Sequence, residues 1–221
     1  MSAKTRVAVV LSGCGVYDGS EIHEAVATLL ALDQAGCEIV CAAPNVEQMH
    51  VIDHVAGKPT SERRNVLVES ARIARGKIRD LATLKASEVD AAILPGGFGA
   101  AKNLCDFAKG NANWTVEKET ARFLSEMHAA KKPIGALCIA PTILAALFGK
   151  EGVTVTIGDD TGTAQRVTET GAKHQSCRID QIAVDETARV VTTPCYMYDA
   201  RISEVFVGAN KLVAAVLGMT R

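Results

Sequence analysis

Lys132-Pro133-Ile134-Gly135-Ala136-Leu137-Cys138-Ile139-Ala140-Pro141-Thr142 decides how this chain of 221 residues folds. Ile134 to Leu137 is a short apolar run without alternation, the pattern of a strand buried on both faces. It runs directly into Cys138. Pro141 suits the first turn of a helix, and Thr142 to Leu147 continue with good helix formers. Strand, sharp turn and helix in this order make a nucleophile elbow, which lifts one side chain above the end of a sheet. The helix N-terminus beside Cys138 favours the thiolate, the reactive form of the side chain. The same residues also fit a small apolar cysteine that merely closes a buried strand.

Working outward, further apolar runs repeat the strand pattern. They are Val7 to Leu11, Ile39 to Ala43 and Ala91 to Leu94, and two further strands are the β-branched stretch Val153 to Ile157 and the stretch Val190 to Thr193. Helical stretches alternate with them. Glu21 to Ala35 ends at Gly36, a C-cap, with Ser20 as N-cap. Ser61 to Arg75 is closed by Gly76, and Trp114 to Ala130, Thr163 to Thr170 and Arg201 to Leu217 complete the set. No linker or repeat interrupts the alternation. Residues 1–221 therefore read as one α/β domain, a doubly wound, mostly parallel sheet sandwiched by helices in the flavodoxin-like manner. Two glycine-rich loops follow strands: Ser12 to Ser20, and Pro95-Gly96-Gly97-Phe98-Gly99. Glycines at the C-terminal end of a parallel strand let backbone amides approach a ligand closely. Neither loop has the dinucleotide-binding spacing.

Composition narrows the function. Hydrophobic residues make up 48% and the net charge is −1, so neither nucleic acid nor an anionic membrane is an expected partner. Seven cysteines without zinc spacing read as free thiols, and no metal site is expected. His50 and His54 stand four apart, but Gly57 and Pro59 argue for a solvated loop. The N-terminal residues carry no signal-peptide core, which reads as a cytoplasmic protein.

Assembled, these residues resemble the class I glutamine amidotransferase-like superfamily, on the branch that holds the PfpI proteases and protein deglycases. The carrying motifs are Leu94-Pro95-Gly96-Gly97, Leu137-Cys138-Ile139-Ala140-Pro141-Thr142, and Glu24 one helix before Ala35-Gly36. Leu11-Ser12-Gly13-Cys14-Gly15-Val16-Tyr17-Asp18-Gly19-Ser20-Glu21-Ile22-His23-Glu24 and Pro95 to Leu104 are more closely similar to the ElbB-type glyoxalase-like group, linked by name to isoprenoid biosynthesis. The resemblance implies a cofactor-free enzyme that takes a small aldehyde or dicarbonyl. Cys138 would be its nucleophile, and the amides of Gly97 and Ile139 its oxyanion hole. A carboxyl from the first helix would stand against the sulfur: Glu24 by ungapped register, with Glu21 one turn away as the alternative. Cys14, Tyr17, Glu21 and Asn103 are candidate pocket residues. For glyoxal, the resemblance implies thiolate addition, a proton shift through an enediol and hydrolysis to glycolate, without glutathione, nicotinamide or metal. It also implies a homodimer.

One departure limits the inheritance. Glutaminases of this superfamily carry a late His-x-Glu pair, and proteases and deglycases a histidine after the elbow or the next strand. Here Ile139 follows the cysteine, Gly158-Asp159-Asp160 follows the next strand, and His174 precedes Gln175-Ser176. His23 neighbours Glu24 but points to another helix face. Three readings stand: an enzyme on small dicarbonyls, a redox-sensing or metabolite-binding protein, and a glutaminase subunit, the last disfavoured by the missing pair.

Overall fold

The computed structural model describes residues 4–220. Its strands are β1 (Arg6–Val10), β2 (Glu38–Ala43), β3 (Ile52–Asp53), β4 (Lys58–Pro59), β5 (Arg79–Asp80), β6 (Ala91–Leu94), β7 (Ile134–Leu137), β8 (Thr154–Val155), β9 (Lys173–His174), β10 (Ala183–Asp185) and β11 (Val190–Thr193). The α-helices are α1 (Ile22–Gln34), α2 (Val66–Ile73), α3 (Phe98–Lys102), α4 (Lys118–Ala129), α5 (Pro141–Phe148), α6 (Thr161–Glu169) and α7 (Ile202–Gly218). Seven strands form one sheet in the order β10-β11-β7-β6-β1-β2-β5, parallel except for the edge strand β10. Helices flank it, α1 and α7 packing on each other and α4 lying against β6 and β7.

Apolar runs without alternation occupy the middle of this sheet because both of its faces are covered. Val7, Ala8, Val9, Val10, Ala91, Ala92, Ile93 and Leu94 have no exposure at all. In β7 the side chain of α7 closes down until only a hydrogen fits: a Cβ on Gly135 would lie 2.8 Å from Leu212. The chain leaves β1 first toward β2 and later returns on the other side at β6. The crevice at that reversal, above the C-terminal ends of the strands, is where sites form in open parallel sheets.

Two glycine-rich loops are stapled together across this crevice by their backbones. Glu21 N–H donates to Gly96 O at 2.9 Å, Phe98 N–H to Val16 O at 2.8 Å and Gly99 N–H to Gly19 O at 2.9 Å. Such close backbone approach leaves no room for side chains. A Cβ on Gly99 would lie 2.5 Å from the Gly19 backbone.

Several elements differ from the sequence reading. α1 is capped by Glu21, whose side chain accepts the Glu24 N–H, and not by Ser20. The Ser20 hydroxyl is used elsewhere, accepting Ser12 N–H at 2.9 Å. The β-branched run Val153 to Ile157 yields only β8, paired with β9 outside the main sheet. Side chains take the place of a ladder there: Thr154 N–H donates to Asp185 and Thr156 N–H to the Thr192 hydroxyl, each at 2.8 Å. α2 starts five residues later than read, at Val66, because Asn65 caps it through the Val68 N–H. α4 starts at Lys118, capped by Glu117, while Trp114 is buried ahead of it with its indole N–H on Thr142 O.

Gly99→Ala should therefore destabilise the chain by about 1–3 kcal/mol, the usual cost of overpacking. Gly110→Ala, where a Cβ meets open space, should cost only the strain of a positive φ, about 1 kcal/mol. Urea unfolding of the two variants checks the order.

Candidate active site

Cys138 ends β7 with a φ of 58°, a left-handed conformation that L-residues other than glycine avoid. Its N–H donates to Thr193 O at 2.9 Å, which fixes the residue to the end of β11. The turn aims the sulfur between the two loops. There the amides of Gly97 and Ile139 and the Glu24 carboxyl of α1 surround it, the amides pulling the thiol down and a charged Glu24 pushing it up. Strain of this kind persists only where the surroundings over-determine it, and clusters at functional sites.

Glu24 has no exposure to solvent. One carboxyl oxygen accepts Gly96 N–H at 2.9 Å, and the other accepts Tyr196 N–H at 3.2 Å. Gly96 is the reason the groups can meet. A Cβ there would lie 2.4 Å from the Cys138 Cβ and 2.7 Å from Glu24 Oε2. Burial, followed by the neighbouring Glu21 charge, pushes the Glu24 carboxyl from its ordinary 4.5 up to about 8, against the pull of the two N–H groups and the thiol. Burial likewise pushes the Cys138 thiol up, as does a charged Glu24, while the Gly97 and Ile139 amides pull it down. Both groups cannot be anionic together at neutral pH, so they titrate as one coupled unit. This corrects the expectation of a readily formed thiolate: the helix terminus contributes through Ile139 N–H, but burial outweighs it, and Cys138 is only 7% exposed.

Cys138, Gly97 and Ile139 line a cavity of about 830 Å³ that is open to solvent. Tyr17 and Glu21 stand in its wall as well. Glu21 is held away from the sulfur: one oxygen caps α1 through Glu24 N–H at 2.7 Å, and the other lies 3.9 Å from His23 Nδ1. Cys14 and Asn103 are not in the wall, which corrects their reading as pocket residues. Asn103 is a brace, donating to Ser12 O and Asp18 O and accepting Met49 N–H. Cys14 is turned toward α2, where burial and the charge of Glu69 push its thiol up.

No histidine lines the cavity among the described residues. His54 accepts Tyr17 N–H at 3.2 Å, His128 pairs with Glu151 at 3.0 Å, and His174 accepts Ile157 N–H at 3.3 Å. His23 bonds through Nδ1 to the Tyr196 hydroxyl at 2.8 Å. No group of three potential metal ligands gathers anywhere among the described residues.

The sequence reading missed Tyr196. It lines the cavity, its N–H holds Glu24, and its hydroxyl holds His23. The preceding Cys195 is fully buried with a φ of 44°, and this second left-handed turn presents the Tyr196 amide to the carboxyl. The available signal was Pro194-Cys195-Tyr196 at the C-terminal end of a parallel strand, where site residues gather in such sheets.

Residues 9–193 match the DJ-1/PfpI family, and the chain belongs to that family. Among curated proteins it is 50% identical to the mitochondrial ES1 protein homolog of Rattus norvegicus, covering 98% of this chain and 85% of that protein. It is also 50% identical to the mitochondrial glutamine amidotransferase-like class 1 domain-containing protein 3 of Homo sapiens, covering 97% and 83%. Among solved structures, the isoprenoid biosynthesis protein with amidotransferase-like domain from Ehrlichia chaffeensis superimposes with a TM-score of 0.93 at 35% identity, covering 98% of this chain and all of that one. Drosophila melanogaster DJ-1beta shares the fold, with a TM-score of 0.59 at 17% identity. The curated relatives are mitochondrial by name, which points away from the cytoplasmic location read from the sequence and overturns it.

Two pH effects follow from the buried carboxyl. Between pH 4.5 and about 8 the folded chain retains a Glu24 proton that the unfolded chain releases. Stability should therefore fall as pH rises through that window, and Glu24→Gln should remove this fall in urea titrations. Iodoacetamide labelling of Cys138, read by peptide mass spectrometry, should rise only well above neutral pH, because burial and a charged Glu24 both push the thiol up. The midpoint of that rise should move in Glu24→Gln; an unmoved midpoint would contradict the coupling.

Proposed function

We propose that this chain is a cofactor-independent enzyme of the glyoxalase type, converting glyoxal or a related small dicarbonyl to the hydroxy acid. The observation that supports this most is the fully buried Glu24 carboxyl, held by two backbone amides against the Cys138 sulfur.

The chemistry follows from these groups. When the Cys138–Glu24 pair holds a single proton, on Glu24, the Cys138 thiolate attacks one aldehyde carbon of glyoxal, forming a C–S bond as the carbonyl electron pair moves to oxygen. In this reading the N–H groups of Gly97 and Ile139 receive that oxyanion. Glu24, protonated at neutral pH, gives its proton to the oxygen and leaves a hemithioacetal. As a carboxylate it then takes the proton from the same carbon, giving an enediolate, and returns it to the neighbouring carbon, while the hydroxyl proton of the first carbon passes to the oxygen of the second. The product is a glycolyl thioester on Cys138. Water cleaves it, releasing glycolate and the thiol; glyoxal plus water has become glycolate, with no net oxidation. A carboxyl titrating near 8 is matched to both halves of this transfer, because a catalytic acid or base works best near the operating pH.

A redox-sensing role finds less support, because sensor thiols are accessible and of low pKa, whereas Cys138 is nearly enclosed with its thiol pushed up. A glutaminase reading lacks a cavity histidine to protonate leaving ammonia.

Purified protein incubated with glyoxal should form glycolate. Cys138→Ser should abolish the product, and Glu24→Gln should slow it about 10²–10⁴-fold, the usual weight of general acid–base catalysis. Glutamine should release no ammonia. Glycolate formation that survives Cys138→Ser would refute the proposal.

A further inference from the structure

Glyoxal has four heavy atoms and fills about three water volumes, roughly 90 Å³. The cavity above Cys138 holds about 830 Å³, close to the size that encloses a much larger ligand. Its far lining therefore asks for an occupant of its own. Apolar and aromatic groups dominate that lining, including Phe98 and Phe107, and two cations are set among them: Lys102 from α3 and Arg166 from α6.

Both cations are held in place by something other than a carboxylate. The Arg166 guanidinium lies over the Phe107 ring, 3.7 Å from its centroid. Its Nη2 donates to Phe107 O at 3.2 Å and Asn111 O at 2.9 Å, and Nε and Nη1 have no partner among the described residues. The Lys102 ammonium donates to Tyr17 O at 2.7 Å and sits 5.4 Å from the centre of the Phe98 ring. Neither forms an ion pair among the described residues, although most other arginines of the chain do. Each acidic group in the same wall has one oxygen committed to a helix cap. Glu21 caps α1, and Asp160 caps α6 through Thr163 N–H at 2.7 Å. The wall thus offers two cations fixed by aromatic rings and backbone carbonyls, with no carboxylate paired to either. A planar guanidinium fixed on an aromatic ring is preorganised for an oxyanion.

We infer that the substrate class is an anionic carbonyl compound: one whose aldehyde or ketone carbon reaches Cys138 while a carboxylate or phosphate group is held by Arg166 and Lys102. This rests on the reading of Cys138 as the nucleophile toward carbonyl carbon, and it makes glyoxal a minimal surrogate that leaves most of the cavity unused.

Alkylation tests the anion site without requiring turnover. Cys138 is labelled with N-iodoacetyl derivatives of glycine, β-alanine and γ-aminobutyrate, with their methyl esters, and with the corresponding phosphonates. Labelling rates are read by peptide mass spectrometry and normalised to those of a small free thiol. At one or more lengths the acid should outpace its neutral ester about tenfold, the weight of one charge-assisted hydrogen bond. Comparing carboxylate with phosphonate tells which anion the site prefers. Lys102→Gln or Arg166→Gln should erase the preference, and Arg166→Lys should restore part of it. Because the readout is a ratio within each variant, a general change in thiol reactivity cancels. Should Arg166→Gln fail to fold, Lys102→Gln and Arg166→Lys still decide. Equal acid and ester rates at every length would overturn the inference, as would a preference that survives substitution of both cations. Glyoxal turnover is measured separately on the same protein, so its absence would refute the glyoxalase reading while an anion preference at Cys138 would still stand.

Discussion

The Glu24 carboxyl has no contact with solvent, and two backbone N–H groups and one sulfur surround it. A buried carboxylate without a cationic partner is costly, so the group keeps its proton at neutral pH. The surrounding architecture makes that arrangement possible. Gly96 must be glycine for the carboxyl and the sulfur to share one site. Cys138 and Cys195 must both turn left-handed, the first to aim the sulfur and the second to aim the Tyr196 amide. The loops after β1 and β6 must be stapled backbone to backbone to bring α1 over the end of β7. The proton shared by carboxyl and thiol then becomes the reagent that a carbonyl substrate requires.

No histidine among the described residues stands in the cavity wall beside this pair. A histidine beside a cysteine stores the thiolate as an ion pair and supplies a proton to a departing amine. A protonated carboxyl beside a thiol stores no separated charge. It moves one proton over a short distance, which suits an isomerisation in which nothing leaves, and it suits amide cleavage poorly. The chemistry read at Cys138 and the absence of a histidine from the cavity wall are two consequences of one constraint.

Much of the fold was legible because burial on both faces writes itself into a strand as an unbroken apolar run. β1, β6 and β7 are legible in this way, and the elbow at Cys138 with them. The register of Glu24 came from resemblance, since helical spacing alone left Glu21 one turn away. Structure separates them through capping: the Glu21 side chain is engaged by the Glu24 N–H, while Glu24 is the carboxyl that acts on the Cys138 thiol. Three things were not legible. The run Val153 to Ile157 has strand composition, but side chains of β10 and β11 intercept its N–H groups. Tyr196 acts through its backbone amide, and an amide leaves no trace in side-chain identity. Asn103 sits in a glycine-rich motif that looks like a binding loop, yet its amide is consumed in bracing the other loop, after β1.

Everything above depends on Glu24 holding its proton at neutral pH. Infrared difference spectroscopy between the native chain and Glu24→Gln observes that proton directly. A protonated-carboxyl stretch should be present at pH 7 and should vanish as the pH rises through about 8. A carboxylate band at pH 7, with no protonated stretch to lose, would contradict the account.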